Sequence, residues 1–241
     1  MKVWSGLVQM VKDYLFPVFC LKCQVEGQWW CKNCLKKFTV MGVYYCPVCH
    51  LSNLNGQPCN PCRAASSLNG IAAFLDYDDQ AIIGQLIKQF KYNFAFDITT
   101  VWEEMVESFL PEIISRMNIE VDFLTVIPIP LHISRERERG FNQANLVAQL
   151  VFKKLSTLKQ IDFNNKSLQR KRPTNQQAKL NRVDRLNNLK DAFVWCGQKS
   201  APKNILLIDD VYTSGTTMQE CAMVLKKFGA QKVYGFTLAR D

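Results

Sequence analysis

This chain of 241 residues has little histidine, no long apolar run and no pattern typical of an export signal. There are only 2 histidines, so histidine can contribute little to any metal site. No apolar stretch reaches the roughly 20 residues that a membrane-spanning helix requires. The N-terminus lacks the continuous apolar core and the small-residue cleavage site of a signal peptide. We therefore expect a cytoplasmic protein that does not insert into a membrane.

Residues 1–16 carry apolar side chains at helical spacing. Trp4, Leu7, Val8, Val11 and Leu15 fall on one face, which predicts a short amphipathic helix. We expect this helix to pack on the protein itself, and a helix lying on a membrane surface is the alternative. The remaining length suits a small cysteine-rich module over residues 17–66 and one α/β domain over residues 70–241.

Cysteine is abundant where histidine is not. Eight of the 10 cysteines form four CxxC pairs near the N-terminus: Cys20 and Cys23, Cys31 and Cys34, Cys46 and Cys49, Cys59 and Cys62. In a reducing compartment such pairs favour metal binding over disulfides. Because four thiolates complete one tetrahedral Zn²⁺ site, the sequence predicts two closed, structural zinc sites.

The sequence leaves open which cysteine pairs share an ion. Short intervals favour neighbouring pairs, although the first pair could combine with the third. His50 follows Cys49 and could replace a neighbouring ligand. Iron–sulfur clusters are a weaker alternative, because their ligands often follow other spacings. Cys221, outside the module, falls on a predicted helix and is expected in the core.

Positive charge is concentrated in one part of the chain. The net charge is +9, and residues 131–190 hold 14 Lys and Arg against 4 Asp and Glu. Such a cluster favours a polyanionic ligand, such as pyrophosphate, a nucleotide or a nucleic acid. Part of the cluster is expected to be an ordinary solvated surface.

Residues 205–228 predict a buried strand, a turn and a helix. The apolar residues 205–208 precede two aspartates, helical periodicity begins at Gln219, and the turn between them is small and rich in hydroxyls: Thr213, Ser214, Gly215, Thr216 and Thr217. A continuous apolar run before a turn and a helix is typical of a parallel strand. In open α/β sheets, ligands bind at that end of the strand.

The chemistry of this turn predicts its ligand. Main-chain N–H groups of a small-residue loop at a helix N-terminus bind phosphate. Asp209 and Asp210 would repel phosphate, but carboxylates accept hydrogen bonds from a diol or help to hold a hydrated cation. A ribose 5-phosphate satisfies both halves. The alternative is a turn in which the aspartates only cap the next helix.

A second strand–loop–helix unit supplies arginine. An apolar strand over residues 122–131 precedes a basic loop over residues 132–143 that contains Arg135 and Arg139, and a helix follows to about residue 155. Arginine binds phosphate oxygens through paired N–H groups. If this loop lies beside the first one, it can hold a pyrophosphate. The alternative is an exposed helix start with self-paired charges.

The remaining elements frame these two units. We predict a strand over residues 70–77, a helix over residues 81–94, and a helix over residues 102–117 that breaks near Pro111, because proline lacks an N–H donor. Residues 170–193 are polar and basic. They predict either a disordered excursion or, as we prefer, a flap that closes over an anionic ligand.

Four motifs together resemble those of the competence protein F (ComF/GntX) family, over nearly the whole chain. They are the CxxC module, residues 138–143 (ERGFNQ), the polar segment with Arg170, Arg172, Gln177 and Arg185, and residues 208–217 (IDDVYTSGTT). The last motif is similar to the one with which type I phosphoribosyltransferases bind 5-phosphoribosyl-1-pyrophosphate (PRPP).

The resemblance implies a fold and a set of site residues. The fold is the α/β type I phosphoribosyltransferase fold, a mostly parallel five-stranded sheet flanked by helices, with an N-terminal zinc module. Asp209 and Asp210, the catalytic candidates, would bind the ribose hydroxyls, and residues 213–217 would bind the 5′-phosphate. Arg135 and Arg139 would bind pyrophosphate, and Arg170, Arg172, Gln177 and Arg185 would belong to the flap. Mg²⁺ would be carried by the PRPP.

The resemblance also implies an activity, namely transfer of ribose 5-phosphate from PRPP to an acceptor with release of pyrophosphate. Thr213 stands where hypoxanthine–guanine enzymes have an acidic residue, and threonine cannot act as a general base near neutral pH. Purine salvage is therefore disfavoured.

The alternative function is a non-catalytic factor of natural transformation. Such a factor would handle single-stranded DNA or bind competence proteins, and would use PRPP only as a ligand. Phe141, Phe152 and Phe163, the aromatic residues of the basic region, are expected in the core rather than as platforms for base stacking.

Overall fold

The structure is a computed structural model that describes residues 17–37, 42–77, 82–92, 96–119, 123–158, 160–172 and 191–241. The predicted helix over residues 1–16 lies outside these ranges. Gln177 and Arg185, two of the four residues assigned to the flap, lie outside them as well.

The described elements alternate between strands and helices. The strands are β1 (Val43–Tyr44), β2 (Gly70–Asp76), β3 (Phe123–Pro128), β4 (Gln160–Phe163), β5 (Leu168–Arg170), β6 (Phe193–Trp195), β7 (Asn204–Tyr212) and β8 (Lys232–Arg240). The α-helices are α1 (Lys32–Lys36), α2 (Ile82–Tyr92), α3 (Phe96–Arg116), α4 (Ile133–Arg139), α5 (Gln143–Leu155) and α6 (Thr216–Lys227). A 3₁₀ helix covers Asn60–Ala65.

A mostly parallel sheet forms the centre of the molecule, in the order β1-β2-β8-β7-β3-β4. The five strands β2, β8, β7, β3 and β4 run parallel to one another. The predicted α/β fold class is therefore confirmed. The sixth strand, β1, comes from the cysteine-rich module and pairs antiparallel with β2 at the edge of the sheet.

Both faces of the sheet are covered, which explains the continuous apolar run of β7. Leu206 and Ile208 face a core shared with α2, α3 and α5. Ile205 and Leu207 face a second core, built with α6 and β6. Because successive side chains of a strand point to opposite faces, all four residues are completely buried.

Helix α3 corrects one expectation, because it continues through Pro111. Proline removes one main-chain hydrogen bond within a helix, to the carbonyl four residues earlier. That carbonyl belongs to Glu107, which is exposed, so water can bind it. Leu110, Ile113 and Ile114 on the opposite face are buried, and their packing keeps the helix continuous.

A separate two-stranded sheet holds the two ends of the predicted flap together. Arg170 of β5 lies opposite Phe193 of β6 in an antiparallel register. The Lys171 N–H donates to the Ala192 carbonyl at 2.8 Å. The polar segment thus leaves and rejoins the domain at one place. Of the helices in the described ranges, none is long and apolar enough to cross a membrane.

Candidate functional site

The carboxyl ends of β3 and β7 open into a cavity of about 260 Å³. Its polar lining comes from four helices, two strands and residues next to them: Lys91, Arg135, Arg139, Asn142, Gln143, Arg170, Asp209, Asp210, Tyr212, Thr213, Thr217 and Asp241. The structure therefore brings the predicted aspartates, the hydroxyl-rich turn and the predicted arginines together in one place.

Strand β7 is longer than the apolar run suggests. It continues through both aspartates to Tyr212, and Asp209 and Tyr212 still pair with Thr237 and Arg240 of β8. Helix α6 begins at Thr216, three residues before the predicted start. The loop between them, hereafter the β7–α6 loop, has only three residues, Thr213–Gly215. The aspartates are therefore fixed by a sheet and not by a loop.

The two carboxylates are close to positive charge. The Lys91 ammonium lies 3.1 Å from an Asp210 carboxylate oxygen. For Asp209, burial and the charge of Asp210 raise the pKa to about 7, against the opposing influence of the Asp210 N–H, Lys91 and Arg170. Asp209 thus changes between its neutral and charged forms near neutral pH.

The β7–α6 loop turns sharply at Gly215, whose φ of 71° lies in the left-handed region. The loop leads directly into the N-terminus of α6, where no side chain caps the helix. The first N–H groups of a helix favour an anion. Thr213, Gly215 and Thr217 line the cavity, whereas the Ser214 and Thr216 hydroxyls are 2.9 Å apart and hydrogen bond to each other.

The predicted basic loop after β3 is mostly helical, which is a correction. Helix α4 starts at Ile133, next to a cap formed by the His132 side chain, and it ends at Gly140. Arg135 and Arg139, four residues apart, share a face of this helix and both line the cavity. The Arg139 guanidinium donates to Gln143 Oε1 at 3.2 Å. Both arginine side chains therefore reach the cavity from a helix and not from a loop.

Helix α5 is tied directly to the end of β3. Its cap residue, Asn142, accepts from the Ala144 N–H at 3.0 Å and donates from its amide to the Ile129 carbonyl at 3.1 Å. The predicted boundaries of this helix are confirmed to within a residue.

Arg170, at the end of β5, also lines the cavity. Its guanidinium sits 5.3 Å from the centre of the Phe193 ring. Burial and the nearby charge of Arg135 lower the pKa of Arg170. Arg172, the other described residue assigned to the flap, is exposed and does not line the cavity.

The cysteine module contains two groups of four sulfur atoms, each within 4.8 Å of one another. The first cysteine group is Cys20, Cys23, Cys31 and Cys34, and the second cysteine group is Cys46, Cys49, Cys59 and Cys62. Neighbouring pairs therefore combine, and the interleaved arrangement is excluded. His50 belongs to neither group; its ring packs 6.5 Å from the Tyr45 ring.

The sulfur positions fit zinc. Zn–S bonds of 2.3 Å in a tetrahedron require sulfurs about 3.8 Å apart. Cys23 and Cys31 sulfurs are 3.6 Å apart, and Cys49 and Cys59 sulfurs are 3.7 Å apart. Burial opposes ionisation of Cys20 and Cys46, yet hydrogen bonds from main-chain N–H groups lower the pKa of each thiol to about 6. Thiolates are the form that binds metal.

Five polar lining residues were not assigned to the site from the sequence: Lys91, Asn142, Gln143, Tyr212 and Asp241. Lys91 lies in the last turn of α2 and reaches the site through its ion pair with Asp210. Gln143 follows the capping residue of α5 and is 2% exposed. Nothing in the spacing of Lys91 could have found it, whereas the motif over residues 138–143 already contained Gln143.

Taken together, the cavity has three chemical parts. One part consists of hydroxyls and helix N–H groups, the second of three arginines, and the third of two carboxylates beside a lysine. Such a cavity can bind a ligand that has an anionic group at each end and hydroxyls or a hydrated cation in the middle.

Comparison with known proteins found relatives along most of the chain. The chain is 30% identical to the "Competence protein ComFC" of Streptococcus pneumoniae over 213 residues, 87% of each protein. It is 28% identical to the "Competence protein F" of Haemophilus influenzae over 240 residues, 93% of this chain and 98% of the relative. It is 26% identical to the "DNA utilization protein YhgH" of Escherichia coli K12, over 93% of this chain and 97% of the relative. No family model matches the chain.

Proposed function

The chain belongs to the ComF family of competence proteins, and from that premise we propose that it binds PRPP with Mg²⁺ in the cavity at the end of β7. We further propose that it transfers ribose 5-phosphate to an acceptor. The observation that carries the proposal is the single cavity shared by Asp209, Asp210, the β7–α6 loop and three arginines.

The 5′-phosphate would bind at the β7–α6 loop. This loop offers the uncapped N-terminus of α6 and the Thr213 and Thr217 side chains. Ser214 and Thr216, which hydrogen bond to each other, would support the loop rather than reach the phosphate. Helix N-termini bind phosphate through N–H groups and the helix dipole.

The ribose hydroxyls would bind at the two aspartates. A carboxylate only accepts hydrogen bonds, so Asp209 and Asp210 suit the two hydroxyls of the sugar. PRPP brings Mg²⁺ on its pyrophosphate oxygens, because Mg²⁺ prefers phosphate and carboxylate ligands and keeps part of its water. Before PRPP binds, Lys91 would neutralise part of the carboxylate charge.

The pyrophosphate would bind among Arg135, Arg139 and Arg170. These residues stand on two walls of the cavity, α4 and β5. Arginine holds phosphate oxygens through paired N–H groups, and three arginines match the charge of a diphosphate. In the transfer, the bond from C1 of the ribose to pyrophosphate breaks, the acceptor bonds to C1, and the acceptor proton passes to water.

Stabilisation of the leaving group is then the main task of the protein. Arg135, Arg139 and Arg170 would hold the negative charge that pyrophosphate takes with it, which is the type of electrostatic stabilisation that lowers a barrier most. The Thr213 side chain cannot act as a general base. The acceptor must therefore react as a nucleophile without proton abstraction by this residue.

Calorimetry tests the proposal directly. Titration of the full-length, zinc-loaded protein with PRPP and Mg²⁺ should give heat of binding, and Asp209→Asn and Asp210→Asn should each weaken binding at least about ten-fold, roughly 1.4 kcal/mol. Asp162→Asn, an exposed aspartate outside the cavity, is the matched control and should bind as the wild type does. No heat with the wild type, or equal heat with Asp209→Asn, would overturn the proposal.

The names of the relatives favour a second candidate, a factor that handles DNA. "Competence protein F" and "DNA utilization protein" both name this kind of role. However, Phe141, Phe152 and Phe163 pack against the core, with the Phe152 and Phe163 rings 5.5 Å apart. Base stacking on them is therefore not available.

A single-stranded oligonucleotide distinguishes this candidate. Binding through the basic residues should weaken steeply as salt rises, and it should survive Asp209→Asn. An affinity that does not change between about 50 and 200 mM salt would contradict it. We also propose a cytoplasmic location, because the eight thiols must stay reduced to bind zinc. We further propose that other competence proteins are partners of this chain.

A further inference from the structure

Tyr212, the last residue of β7, connects the second cysteine group to the β7–α6 loop. Its side chain is 2% exposed, and its hydroxyl donates to the Pro47 carbonyl at 3.0 Å. Pro47 lies between Cys46 and Cys49, the first two ligands of that group. The residue immediately before the loop is thus bonded to the turn that carries two sulfur ligands.

A second hydrogen bond to the same carbonyl comes from the other side of the loop. Gln219, in the first turn of α6, donates from Nε2 to the Pro47 carbonyl at 3.1 Å. Its Oε1 accepts from the Ser67 N–H at 2.8 Å. The Pro47 carbonyl therefore fixes the strand before the loop and the helix after it.

Aromatic packing reinforces the connection. The Tyr212 ring lies 5.2 Å from the Tyr45 ring and 5.8 Å from the His50 ring, and both residues flank the Cys46–Cys49 turn. Arg240 donates to the His50 carbonyl at 2.7 Å, and its guanidinium stacks 4.4 Å above Tyr45.

The hydroxyl of Tyr212 also touches the turn itself. An added Cβ at Gly215 would overlap with the Tyr212 hydroxyl and ring. The loop therefore folds directly onto the side chain that the second cysteine group holds in place. Cys20 and Cys34 of the first cysteine group lie instead in the core on the other face of the sheet.

We propose that metal binding at the second cysteine group sets the shape of the β7–α6 loop, with Tyr212 as the positioning residue. An ordered Cys46–Cys49 turn presents the Pro47 carbonyl at the position that Tyr212 and Gln219 need. Without the metal the turn loses its shape, and both hydrogen bonds lose their acceptor. The effect on ligand affinity rests on the proposed function, whereas the effect on loop order does not.

Hydrogen exchange tests the structural part in the absence of any ligand. Cys49→Ser and Cys23→Ser are matched variants, since each replaces an exposed ligand of one group. Measured on the full chain, amide exchange over residues 212–217 should become at least about ten-fold faster in Cys49→Ser and stay unchanged in Cys23→Ser. Equal protection of this segment in both variants would overturn the inference.

Tyr212→Phe keeps the ring and removes only the hydroxyl. It should retain both zinc ions, measured by atomic absorption, and bind ribose 5-phosphate about three- to ten-fold more weakly than the wild type, as expected for one lost hydrogen bond. Wild-type affinity in Tyr212→Phe would contradict the positioning role. If the wild type binds neither PRPP nor ribose 5-phosphate, the proposed function fails, and the exchange experiment still decides this inference.

Linkage provides a readout that a merely structural tyrosine would not change. Because coupling between the affinities of two sites is reciprocal, saturating ribose 5-phosphate should tighten zinc binding at the second cysteine group, measured by equilibrium competition with a chelator. The effect should persist in Cys23→Ser and be reduced in Tyr212→Phe. Equal zinc affinity with and without ribose 5-phosphate in a wild type that binds it would refute the coupling.

Discussion

The two cysteine groups have the same ligands and almost the same spacing, yet they serve different neighbours. Cys20, Cys34 and Trp30 of the first group join the core on the face of the sheet that carries α2, α3 and α5. Tyr45, beside the second group, joins the core on the opposite face, together with Tyr212. The segment that carries the first group therefore packs against helices, whereas the turn of the second group contacts Tyr212, next to the β7–α6 loop.

Removing both metals should have the largest effect. Structural zinc contributes about 10 kcal/mol or more to the folding of small zinc domains, which exceeds any side-chain contact in the module. We expect a strong chelator to unfold residues 17–66 and to lower the melting temperature of the whole chain, as followed by circular dichroism and calorimetry. The comparison fails if the chelated protein melts like the zinc-loaded one.

Trp30→Ala tests whether the packing beside the first cysteine group affects only stability or also ligand binding. Trp30 is 2% exposed, and truncation of a buried tryptophan costs about 3–5 kcal/mol. Denaturant unfolding should show this loss, while ribose 5-phosphate binding by the folded protein stays unchanged. Val25→Ala, at a half-exposed residue of the same segment, is the control and should be nearly neutral. A weaker affinity in Trp30→Ala would mean that the first group also supports the site.

Gly215→Ala tests the contact between the β7–α6 loop and Tyr212, the residue bonded to the turn of the second cysteine group. Its left-handed φ costs a non-glycine residue about 1–3 kcal/mol, and the new methyl group would displace Tyr212. We expect both lower stability and a loss of ribose 5-phosphate affinity on the order of ten-fold. Gly229→Ala has a similar backbone penalty, with φ 107°, but meets only Ser200 at 3.4 Å. It should lose stability without losing affinity.

The pH dependence of binding should come from the site and not from the module. The pKa of Asp209 is raised to about 7 by burial and by Asp210, so its carboxylate form becomes dominant above that pH. PRPP affinity, measured with Mg²⁺, should therefore rise several-fold from pH 6 to pH 8 and then level off. In Asp209→Asn the remaining affinity should vary less over this range.

Lys32→Ala should have the smallest effect. Lys32 of the first group lies 3.7 Å from Glu104 of α3, and 68% of its side chain is exposed. Exposed ion pairs contribute about 1 kcal/mol or less, so urea unfolding should shift only slightly and PRPP binding should not change. A loss comparable to that of Trp30→Ala would show that the ion pair, and not the tryptophan, anchors the first group.

The sequence predicted the parts of the site whose signal is local. Eight cysteines in CxxC pairs and the run over residues 205–217 each contain their chemistry in a short stretch. Arg135 and Arg139 both line the cavity although their segment is a helix and not a loop, because a helical spacing of four also places both on one side.

Features that depend on distant packing escaped the sequence. Lys91 reaches Asp210 from a helix more than a hundred residues earlier in the chain. Helix α3 continues through Pro111 because of buried neighbours on its far side. Strand β7 extends past its apolar run because β8 supplies hydrogen-bond partners as far as Tyr212. Met223 and Phe228 are apolar but exposed, since the buried side of α6 is formed by Met218, Cys221, Ala222 and Leu225.

Strand β1 has a consequence for the behaviour of the protein in solution. It is only two residues long, but it occupies the outer edge of β2, and an uncovered strand edge is a template for another chain. The module thus covers part of this edge against pairing with a second molecule. If zinc holds the module together, as we propose, loss of the metal would expose the edge and favour aggregation.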